Sequence, residues 1–261
     1  MKKHNYIIEI QFLGFRYSGW QKQPDVKTVQ GMMDKTFFCI FEHHNFKTLG
    51  CGRTDSKVSA NQYPFQLLLS EAIDTGKLFK DLEKNLPADI KVLSVKTAEP
   101  DFSVISQSKT KQYQYNFTFG TSIAKSHHPF CAPFMVHFTG DLDIKAMQEG
   151  ALLFMGEHNF KNYCYKPTEK TQLVRTIKSS LIKKNNYYQS SFFPKNSWTF
   201  EVESSGFLRH QMRLMMGALV RLGKGEISTD DIAKSLNETA DNRESLIVPS
   251  SGLVLNKVEF L

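Results

Sequence analysis

The chain has 261 residues, 41% hydrophobic and 23% charged, enough apolar material for a large core and too much for a disordered polymer. Its 33 Lys and Arg against 26 Asp and Glu leave a formal charge of +7, which suits a polyanion such as RNA or DNA and equally an ordinary basic surface. Cys39, Cys51, Cys131 and Cys164 lie outside metal-ligand spacing and no apolar run reaches membrane-spanning length, which argues against a zinc site, a disulfide framework or a membrane anchor and for a reduced, cytoplasmic protein.

Tyr6 to Phe12 alternates as a strand and stops at Gly14. Thr28 caps a helical run in which Val29, Met32, Met33, Phe37, Ile40 and Phe41 recur at helical spacing and form a core face. FKTLG (46–50), QYPFQLLLS (62–70) and IKVLSV (90–95) read as strands, with a helix at KLFKDLEKNL (77–86). Residues 98–112 are polar and read as a linker. A strand, YQYNFTFG (113–120), a helix around 143–156 and a loop over 157–172 follow. Strands at 173–184 and 196–204, helices at 207–223 and 228–238, and a final strand from Leu253 close the chain. Two halves of interleaved strands and helices predict an α+β fold, with mixed or antiparallel sheets flanked by helices and domains at 1–104 and 105–261.

Four stretches carry groups that can do chemistry. CGRTDSKVSA (51–60) places Arg53 and Asp55 in a polar loop between two strands, where catalytic groups are often set. It reads equally as an exposed turn or a structural ion pair, with Thr54 satisfying backbone. FLRHQMRLMMG places Arg209 and Arg213 four residues apart on the face of a predicted helix, which needs an anion or a solvent edge. His210 has no partner by spacing and reads as structural or RNA-contacting. KTKQYQYNF puts Tyr113 and Tyr115 on one side of a strand behind Lys109 and Lys111, a pattern that suits phosphate pairing and base stacking or simply a half-buried aromatic strand. The HHP at 127–129 lacks a third metal ligand, and no phosphate loop, nucleotide fingerprint or nucleophile elbow is present.

The order of the motifs says more than any one of them. LGFRYSGWQKQPDVKTVQG, GRTDSKVSA, KQYQY, MGEHNFKNYC, VRTI, FLRHQMRLMMG and GLVLNKV follow one another between residue 6 and residue 260. Together they resemble the TruA family of tRNA pseudouridine synthases. The resemblance implies a two-domain pseudouridine synthase fold with a central basic cleft, an enzyme that isomerises uridine in tRNA, the anticodon stem-loop as first target, and a homodimer. It implies Asp55 as the catalytic aspartate, Arg53 in displacement of the base, Tyr113 as the stacking tyrosine, Arg213 as the aspartate's partner and Leu253 as an apolar wall of the pocket. Lys57, Arg209, Lys109 and Lys111 are the expected RNA contacts. An isomerisation needs no redox cofactor, metal or nucleotide.

Three positions depart from the family pattern. Lys57 stands where a glycine is usual, a place that tolerates positive φ, and Ile105 stands where an arginine is usual; Ser59 replaces a histidine. The rivals are the same enzyme class acting on rRNA or another tRNA position, a non-catalytic RNA-binding protein on this scaffold, and a glycosidase, which would want a second carboxylate near Asp55.

Overall fold

The computed structural model describes residues 4–121, 129–190, 192–237, 244 and 246–260; His127 and His128 of the HHP stretch lie outside them. The chain divides into two compact units, Met1–Lys109 with Leu255–Leu261, and Thr110–Val254. The last strand returns most of its residues to the first unit.

In the first unit the N-terminal alternation forms β1 (His4–Phe12), which buries Tyr6, Ile8, Ile10 and Phe12. Strand β1 lies between β3 (Ser59–Leu69) and β4 (Ile90–Thr97), antiparallel to both. A short strand, β2 (Phe46–Gly50), pairs with β3. The last strand, β10 (Leu253–Phe260), also neighbours β3, where Asn61 Nδ2 donates to Asn256 Oδ1 at 2.8 Å. Helix α1 (Val29–Phe41) starts where the Thr28 hydroxyl accepts the Gly31 N–H, and it buries Val29, Met33 and Phe37. It stops at Glu42, which takes a left-handed conformation at φ 59°. Helix α2 (Thr75–Asn85) is capped by Asp74 and buries Leu78 and Leu82. Fully burying each such side chain stabilises the unit by about 1.5–3 kcal/mol.

The second unit is built on β5 (Ser108–Gly120), β9 (Ser197–Ser204), β8 (Val174–Lys184) and β7 (Gly156–Asn159), antiparallel in that order. Strand β6 (Val136–Thr139) runs parallel to β5. Helices α3 (Ile144–Leu152), α4 (Gln211–Gly223) and α5 (Thr229–Ser235) complete it. Nearly all of α4 is buried, Arg213 and Arg221 excepted. The alternate positions of β5 are polar and equally buried. Gln114 donates to Glu201 at 2.9 Å, Thr199 donates to Asn116 at 2.8 Å, and Lys183 pairs with Glu201 at 3.1 Å. The network is only partly satisfied, since Gln114 Oε1 and Asn116 Nδ2 are buried without a hydrogen-bond partner.

Three sequence expectations change. The helix expected over 207–223 begins at Gln211, because His210 is left-handed at φ 59° and the Gln211 side chain accepts the Leu208 N–H at 2.7 Å. Arg209 therefore precedes the helix and shares no face with Arg213. The expected linker 98–112 gives way to β5 from Ser108, so Lys109 and Lys111 stand on the strand itself. The helix around 143–156 stops at Leu152, and Gly156, at φ 98°, opens β7 inside the expected loop. Among the described residues no helix is long and apolar enough to cross a membrane, and no cluster of His, Cys, Asp and Glu could hold a metal ion.

Candidate active site

The loop between β2 and β3 carries Arg53, Asp55 and Lys57, and backbone contacts from residues 14–19 fix its path. Lys57 N–H donates to the Tyr17 carbonyl at 2.9 Å and Ser56 Oγ donates to the same carbonyl at 3.3 Å. Val58 N–H closes the turn on the Asp55 carbonyl at 3.3 Å. Gly14 donates its N–H to Ser59 Oγ at 2.9 Å, which ties the loop's exit to the 3₁₀ turn Gly14–Arg16. At the entry, the Gly52 carbonyl accepts the Tyr63 hydroxyl, and Tyr63 stacks on Trp20 with centroids 4.2 Å apart. Gly19, at φ 86°, lies so close to the loop that a Cβ there would sit 2.3 Å from the Thr54 carbonyl oxygen. Tyr17 is held in turn by Asp89, which accepts hydrogen bonds from its hydroxyl at 2.9 Å and from Arg16. Burial and the bond to Asp89 push the Tyr17 phenol up to about 12. Partial burial works against ionisation of Asp89, yet the bonds from Arg16 and Tyr17 hold its carboxyl below the usual range. On this frame Arg53 and Lys57 are exposed and Asp55 is half-buried.

The second unit separates the two tyrosines that share strand parity. Tyr115 is fully buried and its hydroxyl donates to the Pro249 carbonyl at 2.6 Å. Burial pushes its phenol well above the ordinary range, against an opposing pull from the Arg213 charge. Tyr113 is half-buried, opposite Val202 in the sheet, with its ring edge-on to Phe207 at 5.1 Å. Arg213 Nε donates to the Val248 carbonyl at 2.8 Å. Tyr115 and Arg213 thus hold successive carbonyls of one segment, and Gly252 packs against the Tyr115 ring and the Asn116 carbonyl. That clamp sets Leu253, buried at the start of β10.

Arg209 is exposed. Its guanidinium sits over the Tyr165 ring at 5.0 Å, and the His210 ring stacks on the same tyrosine at 4.8 Å. Lys166 Nζ also stands 5.3 Å from that ring. Lys109 is exposed and Lys111 half-buried opposite Ser204.

A family model described as tRNA pseudouridine synthase matches residues 151–260. The chain is 30% identical over 260 residues to tRNA pseudouridine synthase A of Listeria innocua, covering 98% of each chain. The belonging is decided by that extent. The chain belongs to the TruA family of tRNA pseudouridine synthases. It is 29% identical over 256 residues to tRNA pseudouridine synthase A of Clostridium botulinum, covering 97% of this chain and 98% of that one. To tRNA pseudouridine synthase A 2 of Bacillus cereus it is 28% identical over 261 residues, covering 98% and 100%.

Two features of this TruA chain escaped the sequence reading. Tyr165 and Lys166 join Arg209 and His210 in a basic aromatic cluster that no spacing rule connects, since Tyr165 and Arg209 meet through the bond from Tyr165 N–H to the Arg209 carbonyl at 3.0 Å. Thr54 does not satisfy backbone with its side chain: its hydroxyl oxygen is buried and without a hydrogen-bond partner, beside Asp55.

Lys57 occupies a left-handed conformation at φ 66°, a strain on a non-glycine residue that costs about 1–2 kcal/mol. Its ammonium lies 5.5 Å from the Phe15 ring, an exposed cation–π contact of about 0.5–1 kcal/mol. Glycine there relieves the strain, loses the contact and adds about 0.5–1 kcal/mol of unfolded-state entropy. Lys57→Gly is therefore expected to leave stability within about 1 kcal/mol of wild type by chemical denaturation. A larger loss would show that the lysine side chain holds the loop.

Proposed function

We propose that this protein isomerises uridine to pseudouridine in tRNA, with the anticodon stem-loop as first target, and that it acts in the cytoplasm as a homodimer. The observation that carries the reading is Asp55 on a loop fixed by backbone bonds, in a chain alike to the tRNA pseudouridine synthases over nearly its whole length. In the reaction the bond from ribose C1′ to N1 breaks, the base turns, C5 bonds to C1′, C5 loses its proton and N1 gains one. Atoms and electrons balance without a cofactor. Asp55 acts as nucleophile or as electrostatic partner of the sugar, and Arg213, which the resemblance pairs with it, keeps it ionised and oriented. Arg53, exposed two residues before it, fills the space that the flipped uridine leaves. Tyr113, the accessible member of the tyrosine pair, stacks on the base and relays a proton. Leu253 forms an apolar wall.

Lys57, Lys109, Lys111 and Arg209 are the phosphate contacts in this reading, and all but the half-buried Lys111 are exposed. Affinity for tRNA is then expected to fall roughly 10²-fold between 50 and 200 mM salt, the slope of about four to five released counterions. A flat salt dependence in a binding titration would remove RNA as the substrate. Lys57→Gly should weaken binding about fivefold, the value of one exposed contact. Pairing Lys57→Gly with Ile105→Arg tests whether these two departures redirect the enzyme, Ile105 being exposed; an unchanged set of modified uridines would mark them as neutral. The reaction itself is tested by mapping pseudouridine in RNA from cells with and without the gene, and in tRNA treated with the purified protein. Modification confined to rRNA or to another tRNA position would move the target, and no modification at all would leave an RNA-binding protein.

A further inference from the structure

We propose that a cavity of about 650 Å³ beside α1 is a second RNA subsite, one that takes a tRNA nucleotide other than the reacting uridine. The proposal rests on tRNA being the substrate. The volume lies within the range of ligand pockets, about 300–1,000 Å³, and its lining joins three cations to an aromatic platform. Lys22, Lys27 and Lys35 face Asp34 as the one carboxylate in the lining, and that carboxylate is already engaged by Lys22 at 3.2 Å and by the Thr48 hydroxyl at 2.8 Å. The excess of positive charge suits a phosphate backbone and opposes a basic protein partner, a second copy of this +7 chain included.

The platform is Phe38 with His44, rings stacked at 4.4 Å and 18°. Phe38 is 42% exposed and Val26, also in the lining, 47%. An aromatic face left in water beside lysines is the arrangement on which an unpaired base stacks while its phosphate meets a cation. Sequence spacing assigns Phe38 no role, since it falls between the buried positions of α1.

One segment of chain joins the lining of the cavity to the frame of the Asp55 loop. Residues 17–29 run from one to the other: Ser18 N–H donates to the Lys27 carbonyl at 2.7 Å and Val29 N–H to the Gly19 carbonyl at 3.1 Å, while Gly19 packs on the Thr54 carbonyl. A strand of RNA whose uridine meets Asp55 therefore has a second site on the same segment.

Cys39 provides the probe. It lines the cavity and is exposed, whereas Cys51, Cys131 and Cys164 are buried. The full chain is treated with N-ethylmaleimide with and without saturating tRNA, and alkylation of Cys39 is followed by peptide mass mapping. The expected result is protection of about fivefold or more by tRNA. An unchanged rate overturns the proposal. So does protection that appears without tRNA as protein concentration rises, which would make a second copy the occupant. Lys35→Glu and Phe38→Ala, both at exposed helix positions, are each expected to raise KM for tRNA about fivefold with kcat unchanged; an unchanged KM in both overturns the subsite. Protection reads binding and not turnover, so a protein that protects Cys39 yet forms no pseudouridine would refute the proposed reaction and leave the subsite standing.

Discussion

Asp55→Asn is expected to lower pseudouridine formation by about 10³-fold or more, with folding and tRNA affinity nearly unchanged. The two side chains have almost the same shape, so the exchange removes charge and nucleophilicity and little else. The path of the loop is set by Lys57 N–H on the Tyr17 carbonyl, Val58 N–H on the Asp55 carbonyl, Gly14 N–H on Ser59 Oγ and Ser56 Oγ on the Tyr17 carbonyl. None of these bonds uses the carboxylate. Whether Asp55 attacks the sugar or faces its positive charge, an uncharged amide does neither. The check is single-turnover conversion of tRNA beside thermal melting and a binding titration. A residual rate above a few per cent of wild type would take the reaction away from Asp55, and a variant that fails to fold would make the residue structural.

Gly19→Ala is expected to lose both stability and activity. The residue sits at φ 86°, and an added methyl would stand 2.3 Å from the Thr54 carbonyl oxygen and 3.2 Å from the Asp55 carbonyl carbon. Both neighbours are backbone, so neither can swing aside as the tip of a side chain would. The left-handed conformation alone costs alanine about 1–2 kcal/mol, and relief of the overlap must push residues 17–20 and 54–55 apart. A total of about 2–4 kcal/mol follows, or a fall in Tm of about 5–10 °C. Displacing the aspartate by about 1 Å is enough to slow the reaction about 10²-fold. The contrast with Asp55→Asn is the test: one variant should melt early and react slowly, the other should melt normally and not react. A Gly19→Ala protein with wild-type Tm and rate would mean that the loop moves freely, against the contacts that hold it.

The strands and helices of this protein are largely written in its sequence. Alternation in Tyr6–Phe12 became β1, helical spacing from Val29 became α1 with Thr28 as its cap, and the apolar runs on either side of GRTD became β2 and β3, which put Asp55 in a loop as expected. These features depend on neighbours within a few residues, where periodicity and capping act. The ordered motifs also identified the family, because their spacing is a property of the chain itself. Other features depend on groups far away along the chain. Tyr113 and Tyr115 have the same parity, and only the Pro249 carbonyl and Gly252, more than 130 residues later, make one a buried anchor and leave the other accessible. Arg209 reads as helical until His210 turns left-handed and Gln211 takes the Leu208 N–H, a local side-chain bond that competes with the helix. Thr54 reads as a backbone partner, yet its hydroxyl is buried unbonded beside the aspartate. The return of Leu255–Leu261 to the first unit follows from β10 lying beside β3, a pairing that no local period encodes. Chain neighbours set which face of an element is apolar; what covers that face is settled only by residues that folding brings from elsewhere.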